Sequence, residues 1–201
     1  MRKVVVVNNI SLDGVMQAPG RADEDRRGGF AHGGWALPFN DPVMGQAMGE
    51  QMAGEGDLLL GRRTYEDFAA FWPKQTNNPF TPVLNMRQKY VASTTLTEPL
   101  PWENSALLAG DAADAVAVLK AGPGGALAIL GSGVLCRSLM QRGLIDEYLL
   151  LIHPLVLGSG QRLFPDDGSL AALELVASVT TTTGVILATY RAGTRPDRGA
   201  V

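Results

Sequence analysis

The chain has 201 residues, of which 46% are hydrophobic and 18% charged; this balance predicts one well-packed core and excludes an intrinsically disordered protein. Its net charge is −3 and its basic residues are scattered along the sequence, so neither a nucleic-acid partner nor an anionic membrane surface is expected. The single cysteine, Cys136, excludes an intrachain disulfide, and no histidine or thiol cluster indicates a metal site.

The first predicted strand begins close to the amino terminus. Val4 to Val7 form a β-branched run, with Ile10 beyond it, that is typical of a strand buried on both faces. Arg2 and Lys3 lead into this run without a signal-peptide pattern, and no apolar stretch reaches the length of a membrane span. We therefore expect a cytoplasmic protein.

A long segment rich in glycine, proline and charge follows this strand. Residues 15–40 carry Phe30, Trp35 and Phe39 within an otherwise polar sequence, and a loop of this length is usually functional or mobile. Two interpretations stay open. The aromatic residues either pin the loop to the body of the protein or let it close as a lid, with Trp35 near a bound substrate ring and Asp13 within reach of it.

Helices and strands alternate in the middle of the chain. Asp41 and Pro42 predict a helix start, and the methionines that follow are interpreted as core residues. The later elements are a strand at Leu58–Leu60, a helix from Gly61 through Phe71, strands at Lys89–Ser93 and Ser105–Ala109, and a helix capped by Asp111 that ends near Ala121.

The segment from Ala126 to Pro165 carries the clearest ligand-binding signal. A strand at Ala126–Leu130 meets Gly131-Ser132-Gly133, where a helix begins that ends near Gly143. A glycine turn at a helix N-terminus suits a phosphate, because small residues let the ligand approach unpaired N–H groups. Alone, the pattern is more often a plain connection than a ligand site. A second apolar run, from Ile145 to Leu157, stops at another glycine turn.

Two strands, Leu173–Val179 and Val185–Arg191, form a predicted antiparallel pair at the end of the chain. The order of elements predicts an α/β layered sheet that is mostly parallel, with helices on both faces and an antiparallel C-terminal edge. We expect one domain over residues 1–191 and a polar tail over 192–201. Ligands bind beyond the carboxyl ends of the strands in such sheets.

Two separate anion sites are predicted at these strand ends. Arg62 and Arg63 lie beside Thr64 at a helix start, where guanidinium groups suit a phosphate, and Ser93-Thr94-Thr95 adds hydroxyls. An ordinary solvated turn is the alternative at each place. Together with Gly131-Ser132-Gly133, these residues match a dinucleotide with an extra ribose phosphate, which favours NADPH over NADH. The Rossmann fingerprint is missing after the first strand. His153 and His32 are interpreted as structural.

These motifs in this order resemble the dihydrofolate reductase-like superfamily, and most closely its branch of riboflavin-pathway reductase domains. The resemblance covers Val4 to Arg191 and is carried by Ser11-Leu12-Asp13-Gly14, Gly61-Arg62-x-Thr64-Tyr65-Glu66, Ser93-Thr94, Gly131-Ser132-Gly133-x-Leu135 and His153-Pro154-x-x-x-Gly158-x-Gly160-x-x-Leu163-Phe164. It implies a homodimeric NADPH-dependent oxidoreductase. The expected activity is reduction of a small heterocycle, resembling 5-amino-6-(5-phosphoribosylamino)uracil reductase of riboflavin biosynthesis.

The resemblance also assigns residues to the site. The cofactor would contact Gly61, Arg62, Arg63, Thr64, Ser93, Thr94, Gly131, Ser132, Gly133, Val134 and Leu135. The substrate would contact Asp13, Trp35, Phe39 and Asp41, of which Asp41 is the nearest counterpart of the carboxylate that holds the pterin ring in dihydrofolate reductases. The catalytic proton would come from Asp13 or from water. The alternatives are a dihydrofolate or pterin reductase, a nucleotide-binding homologue without turnover, and a plain interaction module.

Overall fold

The structure, a computed structural model, describes residues 1–164, 166–167 and 170–193. Its helices are α1 (Pro42–Ala53), α2 (Arg62–Phe71), α3 (Phe80–Met86), α4 (Ala112–Ala121) and α5 (Gly133–Gln141). Its strands are β1 (Val4–Ser11), β2 (Gly56–Gly61), β3 (Lys89–Ala92), β4 (Ser105–Leu108), β5 (Ala126–Leu130), β6 (Glu147–His153), β7 (Leu173–Thr180) and β8 (Ile186–Ala192). The predicted tail over 192–201 falls, from residue 194 onward, outside the described residues.

One eight-stranded sheet in the order β4-β3-β2-β5-β1-β6-β8-β7 forms the centre of the protein. The strands from β4 to β6 run parallel to their neighbours, whereas β8 pairs antiparallel with both β6 and β7. This arrangement confirms the predicted mostly parallel α/β sheet with an antiparallel C-terminal edge. No helix in the described part of the chain is long and apolar enough to cross a membrane.

Alternation of side chains along the central strands produces two apolar layers. Val4 and Val6 of β1 pack with α4 and α5 on one face of the sheet, while Val5 and Val7 pack with α1 on the other. The second face continues beneath α2 and α3, where Tyr65 is buried. Because β1 is buried from both sides, its β-branched run is the continuous one expected of a central parallel strand.

Residues 15–40 form an irregular loop with short 3₁₀ turns at residues 27–29 and 37–39. Val15, Phe30 and Trp35 are buried together in an apolar cluster of their own. Apolar anchors therefore fix this loop to the body of the protein, as one of the two interpretations of its aromatic residues requires. The free thiol of Cys136 is also buried, and burial raises its pKa to about 12.

Candidate ligand-binding cleft

A cleft of about 1020 Å³ opens at the carboxyl ends of the central parallel strands. Its lining comes from the ends of β1 to β5, from the first turns of α2, α4 and α5, and from the long loop. All eleven residues that the sequence assigns to a cofactor line this one cleft, namely Gly61, Arg62, Arg63, Thr64, Ser93, Thr94, Gly131, Ser132, Gly133, Val134 and Leu135. The turns that follow three parallel strands, β2, β3 and β5, thus converge as the parallel topology requires.

The first turn of α5 presents unpaired backbone donors to the cleft. Ser132, which precedes the helix, forms no side-chain cap, and its hydroxyl instead donates to the Leu130 carbonyl at 3.0 Å. The N–H groups of Gly133, Val134 and Leu135 lie in the first turn, where a helix offers them no internal acceptor. Together with the positive end of the helix dipole, they form a site that favours an anion.

The turn before α5 is packed so closely that a Cβ at Gly131 or Gly133 would press against neighbouring side chains. Gly131 has φ +58°, and a Cβ there would lie 3.1 Å from the Thr64 hydroxyl oxygen. A Cβ on Gly133 would lie 2.8 Å from the sulfur of Met16. The Thr64 hydroxyl accepts the Ser132 N–H at 3.0 Å, and so fixes the turn against α2. Gly131 and Gly133 therefore contribute only backbone to this part of the cleft, while the side chains of Thr64 and Met16 pack against the turn.

The start of α2 forms a second anion-binding corner. Gly61 precedes this helix and no side chain caps it. Arg62 lies 3.1 Å from Glu66, whereas Arg63 is exposed and forms no ion pair with any described residue. Ser93 stabilises its own turn, since its hydroxyl oxygen accepts the Thr95 and Leu96 N–H groups. Arg63 is consequently the cation available to a ligand at this corner.

An apolar wall with amide groups lines the other end of the cleft. Val7 of β1, Leu151 of β6, and Met44 and Met48 of α1 contribute to it, and Asn9 lies at its edge. Packing of Met44 and Met48 against the core agrees with their interpretation as core residues, and both also line the cleft. Apolar side chains of this kind suit contact with an aromatic ring.

The long loop closes one side of this cleft. Residues 16–20 and 24–27 line it opposite α2. Arg21 forms an ion pair with Asp67 of α2, and its guanidinium carbon lies 4.3 Å from the centre of the Phe71 ring. The loop that follows β1 is thus tied to α2 beside the cleft.

The hydrogen bonds of Asp13 favour a structural role over its predicted role as a proton donor. Its carboxylate accepts hydrogen bonds from the Ser11 hydroxyl at 2.6 Å and from the Leu157 and Gly158 N–H groups at 3.0 and 2.9 Å. The Ser11 bond is the main cause that lowers the pKa of Asp13 to about 2, against the opposing effect of burial. Asp13 is therefore an anion at neutral pH that fixes the turn after β6, and it lies outside the cleft lining.

Asp13→Asn should lower the free energy of unfolding by about 1–2 kcal/mol at pH 7, because an amide cannot accept all three bonds. The folded-state pKa is depressed, so the stabilisation is present above about pH 4 and disappears as the pH falls through about 2. Urea unfolding of both proteins at pH 7 and pH 3 measures this. A difference between the two proteins that grows on acidification would contradict the assignment.

The structure likewise places Trp35, Phe39 and Asp41 outside the cleft lining. The indole N–H of Trp35 donates to the Gln17 carbonyl at 2.7 Å, and both aromatic rings pack against His153. Asp41 caps α1 by accepting the Val43 N–H at 2.7 Å and also binds Thr182. Direct substrate contact, predicted for these three residues, is not supported, because each is committed to packing or capping.

Trp35→Phe should lower the free energy of unfolding by about 1–2 kcal/mol, since the Gln17 carbonyl loses its buried donor while the ring edge is largely retained. NADPH affinity should stay within threefold of the wild type. Thermal unfolding and a fluorescence titration on the same variant measure both. Unchanged stability together with a lost cofactor affinity would instead place Trp35 in the binding surface.

Comparison with known proteins gives matches over most of the chain. A family model for the RibD C-terminal domain matches residues 2–187. The uncharacterized protein YyaP of Bacillus subtilis is 31% identical over 138 residues, which cover 66% of this chain and 72% of that protein.

Two solved structures share the fold. A protein provisionally assigned to riboflavin biosynthesis in Shewanella sp. PV-4 has a TM-score of 0.71 at 23% identity, covering 96% of this chain and 99% of that one. Dihydrofolate reductase from Enterococcus faecalis, complexed with NADP(H) and RAB-propyl, has a TM-score of 0.59 at 17% identity, covering 96% and 97%. At these identities the likeness establishes the architecture.

Proposed function

The chain belongs to the family of the RibD C-terminal domain, and we propose that it is an NADPH-dependent reductase of a small heterocyclic substrate. The observation that carries this proposal is the convergence of two uncapped helix N-termini, those of α2 and α5, on one cleft beside Arg63. A neutral nest of N–H groups and a cationic corner are the two sites that a pyrophosphate and a ribose phosphate need.

The residues present fit this cofactor. The N–H groups of Gly133, Val134 and Leu135 would bind the pyrophosphate, and Arg63, beside the ion-paired Arg62, would bind the ribose phosphate. When bound, NADPH supplies the hydride. The protein would bind and orient the cofactor. Gly131, which has no side chain, would leave the backbone of its turn accessible to the pyrophosphate.

The substrate ring would lie on the apolar wall formed by Val7, Leu151, Met44 and Met48. The bridge between Arg21 and Asp67 would hold the loop over the cleft and exclude water from the reacting groups. Because Asp13 is a bound carboxylate with a pKa of about 2, the proton for the reduced ring would come from water.

A pyrimidine-like ring is favoured over a pterin held in the manner of dihydrofolate reductase. That mode needs a carboxylate on the first helix facing the ring. Here the nearest carboxylate, Asp41, is turned to the α1 backbone and to Thr182. We therefore propose a small uracil-like heterocycle as the substrate. A pterin substrate is the second candidate.

Oxidation of NADPH at 340 nm in the presence of a panel of aminouracils and pterins tests the proposal. We expect oxidation with at least one aminouracil. A protein that binds NADPH but oxidises it with no ring would be the nucleotide-binding homologue without turnover. Absence of NADPH binding would leave the plain interaction module and contradict the proposal.

A further inference from the structure

Asn9 presents an amide to the substrate end of the cleft. It lies on β1 and lines the cleft, beyond Val7 on the same face of the strand. Its side-chain oxygen lies 2.9 Å from Nε2 of His153. Its side-chain nitrogen has no acceptor among the described residues, so both of its N–H groups are available to a ligand.

His153 lies in the interior of the protein, behind Asn9. It is fully buried, and its ring meets those of Trp35 and Phe39 edge to face, with centroids 5.1 and 5.5 Å away. Burial lowers the pKa of His153 to about 4, so the ring is neutral at physiological pH and carries one proton.

The proton of His153 belongs on Nε2. Nδ1 is buried without a hydrogen-bond partner among the described residues. An unprotonated nitrogen at that position costs less free energy than an N–H group would, because a buried donor without an acceptor is the rarer and costlier case. Nε2–H then donates to Asn9, which must turn its oxygen toward His153. The orientation of the Asn9 amide is fixed as a result, with its NH₂ group toward the cleft.

This arrangement explains what Trp35 and Phe39 do without touching the cleft. Their rings hold the imidazole in place, and Trp35 is itself held by the Gln17 carbonyl. Asn9 would otherwise be free to rotate its amide and offer either a donor or an acceptor. Trp35 and Phe39 thus hold the His153 ring in place, and His153 in turn fixes the orientation of the Asn9 amide.

We propose that Asn9 determines substrate specificity by donating its amide N–H to a ring carbonyl, and that His153 is the residue that positions it. The inference rests on the proposed function in that the substrate occupies the end of the cleft lined by β1 and α1. It names the class of substrate as heterocycles with a carbonyl at that ring edge, such as uracils. An amino group there would meet a donor and be rejected, since unpaired buried polar groups are costly.

The test compares two rings of similar size, one with carbonyl groups at C2 and C4 beside ring N–H groups, the other with amino groups at those positions beside unprotonated ring nitrogens. 5,6-Diaminouracil and 2,4,5,6-tetraaminopyrimidine are titrated into the protein at pH 8, with and without NADPH, by calorimetry. The wild type should bind the uracil at least tenfold more tightly. Asn9→Asp, which replaces donors by acceptors, should reverse the order, and Asn9→Leu should abolish the preference.

A pair of His153 variants separates positioning from structural support. His153→Gln keeps an N–H group that can donate to Asn9 and should retain the preference, whereas His153→Leu should lose it. Both variants are expected to be less stable than the wild type, so the ratio of the two ring affinities, measured below the unfolding transition, is the readout. A purely structural histidine would lower stability and leave that ratio unchanged.

The outcomes distinguish this inference from the proposed function. Failure of NADPH to bind would overturn the proposed function. The ring preference measured without NADPH would still test the role of Asn9 in specificity. Equal affinity for the two rings, or binding of neither, would overturn the role of Asn9. A preference that survives in both Asn9→Leu and His153→Leu would do the same.

Discussion

Val134→Glu is expected to weaken NADPH binding by about 100-fold, or about 2.7 kcal/mol, without lowering stability. Val134 lies in the first turn of α5, is 64% exposed and lines the cleft. A carboxylate at a helix N-terminus favours the helix itself. It would nevertheless repel a bound pyrophosphate, since like charges about 4 Å apart near a protein surface interact by about 4 kcal/mol.

The matched control is Val134→Gln, which has nearly the same shape as the glutamate variant and no charge. It should bind NADPH within about threefold of the wild type, a difference of about 0.7 kcal/mol. Cofactor fluorescence titrations and thermal unfolding on both variants give the comparison. Equal affinities for the two variants would remove α5 from the cofactor site.

Arg63→Ala is expected to weaken NADPH binding by about tenfold or more, at least 1.4 kcal/mol, and to leave NADH binding unchanged. Arg63 is exposed at the start of α2 and has no ion-pair partner among the described residues, whereas Arg62 is paired with Glu66. It is therefore the guanidinium that would contact the ribose phosphate, the group that NADH lacks.

Arg63→Lys tests the contribution of geometry. It keeps the charge but loses the planar fork with which arginine binds phosphate, so an intermediate affinity is expected. Parallel titrations with NADPH and NADH measure all three proteins. If Arg63→Ala weakened both cofactors equally, the arginine would serve the fold or the pyrophosphate instead of the ribose phosphate.

Sequence periodicity and turn residues predict most of the fold because they are local. The β-branched run of β1, the cap at Asp41 and the glycine turn before α5 each mark an element boundary by their own chemistry. The short helix α3 escapes prediction. Pro79 precedes it as the N-cap and Pro82 lies in its first turn; both are typical turn residues, although proline is tolerated in a first helical turn.

The end of the cleft at which we propose that phosphate binds is also predictable, since its residues follow the strands in sequence. Gly61, Ser93 and Gly131 each end a parallel strand, and parallel topology alone brings them together. Whether they bind NADPH remains a prediction.

The substrate end depends on contacts between distant segments, which the sequence does not display. In the sequence Asp13 looks like a free carboxylate, because its hydrogen-bond donors, the Leu157 and Gly158 N–H groups, lie far away along the chain. The sequence allows Trp35 to be a lid residue, and its packing against His153 is visible only in the folded protein. The signal that could have indicated Asn9 is the pair of asparagines interrupting an apolar central strand, where a polar side chain needs a reason to be present.

The central claim, that the cleft at the carboxyl ends of the strands is an NADPH site, is tested most directly by titrating the wild-type protein with NADPH and NADH. Nicotinamide fluorescence measures both affinities under the same conditions. The structure predicts saturable binding of NADPH at least tenfold tighter than NADH, about 1.4 kcal/mol. Equal affinities, or no binding of either cofactor, would contradict it.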